Sequence, residues 1–259
     1  MNDSPPQQGS SLVRFMAIML ASVVGGAGAG YASALHGDTF TYPEEILAVI
    51  YDTNSDVDSQ EVDQWDRKIL RNNTTLCATI AGALVVGLMG LVTGCFNSVI
   101  AAIRGLVVGV FAGSVAGALG GLAGTFVWQL LIDNDILVNA SSDSSVHAAM
   151  ANGIIWGAIG IAAGGASALE KRARIQHAIA GAVAGVLGAC AFLLVAASLL
   201  ISTKTELPLP SKMDDTAWFQ ARILWGLLPA AVIGLLVGRS VATNAAASQR
   251  LETECSDKE

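Results

Sequence analysis

Charge is what this sequence has least of for its length. Asp, Glu, Lys and Arg make up 14% of its 259 residues, against about 25% in an ordinary soluble domain. Histidine is rarer still, with three residues, which leaves little for metal or proton chemistry. The six prolines are too few for a loop-rich chain, and the four cysteines too few and too scattered for a disulfide scaffold. A hydrophobic content of 53% rules out a disordered chain. A net charge of −7 with few basic residues disfavours nucleic-acid binding.

What the chain has is apolar length. Mean hydropathy is +0.57. Six runs, 11–35, 75–96, 105–131, 148–169, 175–201 and 217–238, are long enough to cross a hydrocarbon core that needs roughly 20 helical residues. Asp, Glu and Lys do not occur within them up to their charged margins, and they lack the alternation of barrel strands. The reading is an all-α integral membrane protein, a six-helix bundle in one transmembrane domain spanning 1–259. Its one long polar connection is an acidic extramembrane loop at 36–74, and a polar tail follows at 239–259.

Lys and Arg set the orientation. With the first end cytoplasmic, that side carries Arg14, Arg104, Lys171, Arg172, Arg174, Arg239, Arg250 and Lys258; the other carries Arg67, Lys68, Arg71, Lys204, Lys212 and Arg222. The bias favours both ends inside. Residues 15–30 followed by Ala32-Ser33-Ala34 offer a competing reading as a cleaved signal sequence, which would leave five helices. Asp3 offsets Arg14 ahead of that run, and this speaks against cleavage.

Twenty-six of the 28 glycines fall inside the six apolar runs. In the third run Gly105, Gly109, Gly113, Gly117 and Gly121 repeat every four residues, which keeps them on one slowly drifting face. Gly157, Gly160 and Gly164 mark the fourth run, Gly181 and Gly185 the fifth. In lipid, small residues let helix backbones approach closely and so drive association. These ten glycines are the expected helix-packing positions. Their pattern resembles the glycine-zipper class of membrane proteins, among them bacterial polytopic proteins of uncharacterised type, and that resemblance implies packing alone, with no catalytic residues.

Self-comparison adds an internal repeat. Gly87, Gly90, Gly94 and Arg104 match Gly157, Gly160, Gly164 and Arg174 at a spacing of 70 residues, which predicts two parallel copies of a helical hairpin. Trp225-Gly226 echoes Trp156-Gly157 as a partial third copy.

Chemistry is sparse. Within 52–63, oxygen donors from Asp52 to Asp63 fall near the positions of an EF-hand loop, and the flanks 44–51 and 60–70 are expected to be helical, but Val57 stands where glycine is needed and Asp63 where a bidentate Glu closes the site. A solvated acidic loop is the favoured reading, with a weak Ca²⁺ site as the alternative, and neither a cofactor nor a resident metal is expected. Asn72, Asn73 and Asn139 fit glycosylation sequons. Arg222, inside the last run, is expected to snorkel outward. His177 reads as a satisfied interfacial group, Trp128, Trp156 and Trp218 as an outer aromatic belt, and Pro229 as a kink. No catalytic constellation appears, so the expectation is a non-enzymatic structural or interaction subunit, associating in the bilayer with itself or with a partner membrane protein. The alternative is a channel or permeation protein for a small uncharged solute.

Overall fold

The computed structural model describes residues 8–51, 59–133, 143–168, 173–200 and 216–256. Every regular element among them is a helix: α1 (Gln8–His36), α2 (Glu44–Tyr51), α3 (Ser59–Cys95), α4 (Val99–Asp133), α5 (Asp143–Ser167), α6 (Arg174–Leu200) and α7 (Thr216–Ser256). Six of these, all but α2, are long and apolar enough to span a membrane. The protein is an all-α, multi-pass membrane bundle.

The helices outrun the hydropathy boundaries. α3 begins sixteen residues before the predicted 75 and, with 37 residues, rises about 55 Å. Much of the acidic loop is therefore α2 together with the first turns of α3. The tail at 239–259 is likewise helical as far as Ser256, the last described residue, because α7 continues through it. Hydropathy marks where lipid ends, whereas helix propagation depends on backbone hydrogen bonds that polar residues sustain equally well.

Local signals set the connections. Ser98 accepts the Ala101 amide on its hydroxyl at 3.1 Å and caps α4, while the amides of Asn97 and Ser98 both return to Gly94 O. Pro43 opens α2, with Ile46 and Leu47 donating to its carbonyl, and Glu44 and Glu45 complement the helix dipole there.

Three antiparallel pairs, α1 with α7, α3 with α4 and α5 with α6, form the most extensive contacts. Further contacts of α1 with α3, α4 with α5 and α6 with α7 close them into a ring. α5 also reaches α3 and α7 and is the most enclosed span, whereas α4 lies outermost with 17% of its apolar window buried. Its exposed residues Ile100, Val107, Phe111, Leu119 and Phe126 form a continuous apolar surface suited to lipid.

Candidate functional site

The glycines build the seams between helices. A methyl group at Gly113 would lie 2.1 Å from Gly82 O, one at Gly117 2.1 Å from Ala78 O, and one at Gly109 2.5 Å from Val86 O. Gly105 and Gly90 oppose each other's carbonyls at 2.2 and 2.3 Å on the same measure, and Gly121 faces Thr75 Cα at 2.8 Å. The period-four row of α4 thus runs backbone to backbone down α3. Gly120 and Gly124, on the adjoining face, meet Ile155 and Ala151 of α5. The structure brings these glycines to contacts within one chain.

The α5–α6 pair repeats that construction. Gly160 opposes Gly181, Gly164 opposes His177 O, Gly185 opposes Trp156 O, and Gly157 lies by Val186. The register corrects one match made in the sequence. Gly87 meets Val110 as Gly157 meets Val186, so equivalent first-helix positions stand 70 residues apart but second-helix ones 76 apart. Arg104, in the second turn of α4, is therefore not the counterpart of Arg174, which opens α6.

In the interior of the bundle lie Ile155, Trp156, Ile159, Trp225 and Ile233, each fully buried. The Trp225 indole donates to Asn152 Oδ1 at 2.8 Å, and Asn152 Nδ2 donates to Ala148 O at 2.9 Å, so the buried amide is satisfied through both its ends. Trp156 packs edge-on to Trp225 with ring centroids 5.1 Å apart. Trp156 is thus a core residue rather than part of an outer aromatic belt; Trp128 is also buried, edge-on to His147. The Trp218 side chain lies outside the described residues.

A polar assembly caps the far end, away from the start of α1. Arg222 does not snorkel: it is 4% exposed, paired with Asp38 at 3.3 Å, and donates to the carbonyls of Ser33 and Ala34 at the end of α1. Those carbonyls and that carboxylate give the buried guanidinium acceptors in place of water. Asn73, 2% exposed, clasps the Phe40 backbone, accepting from its amide at 2.8 Å and donating to its carbonyl at 2.9 Å. That buried, doubly bonded amide excludes Asn73 as a glycosylation site in the folded protein. The Tyr42 hydroxyl donates to Asp66, and burial together with that carboxylate pushes its pKa up to about 12. Arg67 bridges Asp63 and Asp133, and Gln129 of α4 donates to its carbonyl.

At the opposite end His177 is buried, with Nε2 2.8 Å from Asn244 Nδ2. Arg14 stacks over Phe96 at 5.5 Å, tying α1 to the α3–α4 turn. Pro229 lies inside α7, which is helical on both sides of it, and a methyl at Gly188 of α6 would sit 2.4 Å from its Cα. Among the described residues no group of three His, Cys, Asp or Glu is placed to hold a metal. Residues 52–58 of the EF-hand-like segment, Asn139 and Lys171–Arg172 lie outside the described residues. Cys77 is buried while Cys95 and Cys190 are exposed, and all three are free thiols.

Sequence reasoning missed Asp38 as the partner of Arg222 and Trp225 as the partner of Asn152. A lone Arg inside an apolar run and a lone Asn in another were the available signals, since each buried polar group needs a partner. No family model, curated protein or solved structure matches the chain.

Proposed function

We propose that the protein is a non-enzymatic structural or interaction subunit of a membrane, a bundle of the glycine-zipper kind that associates with itself or with a partner membrane protein. The observation that carries this reading is the filled interior. Trp156, Trp225, Ile155, Ile159 and Ile233 are fully buried in the interior of the bundle, and the Asn152 amide among them is already hydrogen bonded. A close-packed interior of this kind supports a scaffold rather than passage of a small uncharged solute.

The shared contacts of the α3–α4 and α5–α6 pairs support a duplicated hairpin, with the second copy lengthened at its turn. Arg14, Arg104, Arg174 and Arg239 fall at one end of the bundle, and the acidic α2–α3 assembly at the other. The basic residues favour both described ends cytoplasmic, and the compactness of the chain favours a bacterial inner membrane.

The reading is tested by purifying the full chain in mild detergent, measuring the mass of the particle, and assaying solute-driven shrinkage of vesicles carrying it. An oligomer or a co-purifying membrane protein, with no permeation above that of empty vesicles, is expected. A lone monomer that admits solute overturns it.

A further inference from the structure

The face of α3 above the membrane carries a groove that bundle packing does not require. It has a volume near 480 Å³ and is lined by Glu61, Gln64, Trp65, Lys68 and Arg71 of α3, with Gln129 of α4 across from them. On α3 these positions recur at three- and four-residue intervals, so they share one side of the helix. Arg67 also borders the groove, but its guanidinium is engaged by Asp63 and Asp133.

Depth fixes what this groove meets. Residues 75–95 rise about 31 Å, the thickness of a hydrocarbon core. Arg71 and Lys68 then stand about 6 and 10 Å beyond its edge, in and just above the headgroup layer. Gln129 lies level with Arg67, so Phe126 and Leu122, exposed below it on α4, stand level with Leu70 and Thr74, beside the headgroup layer and at its inner edge, where the glycerol and the first acyl carbons of a lipid lie.

The order of charge along the groove is graded. The two cations lie nearest the membrane, Trp65 follows, and the carboxylate of Glu61 is farthest out. A zwitterionic aminophospholipid carries the complementary order, phosphate next to the glycerol and ammonium beyond it. We propose that this groove seats the headgroup of such a lipid. Arg71 and Lys68 take the phosphate through charge-assisted hydrogen bonds, while Glu61 and Gln64 take the ammonium. Lys68 Nζ rests over the Trp65 ring at 4.1 Å. When that ammonium turns to the phosphate, the ring face receives the lipid's own ammonium in its place. An anionic lipid without an amine would instead present its outer headgroup to Glu61 with no cation between them. The site depends on the protein lying in a membrane and not on its role as a subunit.

Native mass spectrometry of the full chain in mild detergent, offered phosphatidylethanolamine, phosphatidylglycerol and phosphatidylcholine in equal amounts, tests the site. Wild type should retain phosphatidylethanolamine in preference to phosphatidylglycerol. Lys68→Ala with Arg71→Ala should lower that occupancy about tenfold, as expected for two interfacial cations that each contribute several-fold. Glu61→Gln should keep the lipid but bring the two headgroups towards parity, and because it alters one exposed side chain it tests the proposal even if the double variant folds poorly. Equal retention of both lipids by wild type overturns the proposal, as does unchanged occupancy in the double variant. Displacement of the lipid by millimolar inorganic phosphate would assign the groove to the free anion and overturn it too.

Discussion

Gly160 and Gly181 stand against each other so closely that a methyl added to either would lie 2.0 or 1.9 Å from the other's carbonyl oxygen. No side chain separates α5 from α6 at this point, and the same is true of α3 and α4 where Gly82 meets Gly113. In lipid, where helices gain nothing by hiding apolar surface from one another, this approach maximises the dispersion contacts that hold them together. The ring of pairs follows, and so does the filled interior.

Asn152 should matter more than its single hydrogen bond to Trp225 suggests. Asn152→Ala leaves the Trp225 indole N–H unpaired in a water-free core, and is expected to destabilise the bundle by about 1–3 kcal/mol. Trp225→Phe removes the other partner, and in a double-mutant cycle the two losses should be clearly less than additive. Denaturant unfolding in detergent measures both; strict additivity contradicts the coupling.

Asp38→Asn should cost more than Asp63→Asn although both carboxylates are exposed, at 57% and 65%, because only Asp38 faces a buried cation. It leaves Arg222, whose side chain is 5% exposed, with carbonyl partners only, and a loss of about 1–3 kcal/mol is expected. Asp63→Asn removes a pair whose side chains are 43% and 65% exposed, and should change stability by less than about 1 kcal/mol. Thermal unfolding of the two variants side by side checks the order.

Tyr42 gives the outer assembly a dependence on alkaline pH. Its folded-state pKa is raised from 10.0 to about 12, so the folded form holds the phenolic proton more tightly than the unfolded chain does. The associated stability is fully present below pH 10 and is lost as pH rises through about 12. In an ultraviolet titration, the difference between wild type and Tyr42→Phe should show a phenol ionising near pH 12. Asp66→Asn should move that step downward.

The sequence revealed seams but not partners. The period-four row from Gly105 to Gly121 was legible because helical geometry alone puts those residues on one face. Which backbone lay opposite was not, since register depends on turn length, and the α5–α6 turn runs longer than the α3–α4 turn. That difference also explains why the Arg104–Arg174 match misled. Trp156 was legible as a large aromatic residue, but an interfacial and an interior tryptophan look alike until Trp225 is placed beside it. Arg222 was misplaced for a related reason: its partners, the Asp38 carboxylate just past α1 and the Ser33 and Ala34 carbonyls at the end of α1, lie nearly two hundred residues away in sequence. The helical flanks of the EF-hand-like segment, Glu44–Tyr51 and 60–70, were legible in the sequence and are α2 and the first turns of α3, whereas the extension of α7 was hidden because hydropathy reports lipid contact, not backbone conformation.

A Gly→Ala scan read by unfolding in detergent tests most directly whether glycine serves close packing within the chain. Alanine is the better helix former by about 1 kcal/mol, so position alone decides the sign. At Gly82, Gly113, Gly160 and Gly181, where the methyl would meet a carbonyl oxygen at 1.9–2.1 Å, each substitution should destabilise by about 1–3 kcal/mol. At Gly165, where nothing lies within 4 Å, it should be neutral or stabilising. Equal responses at seam and open positions would contradict the account.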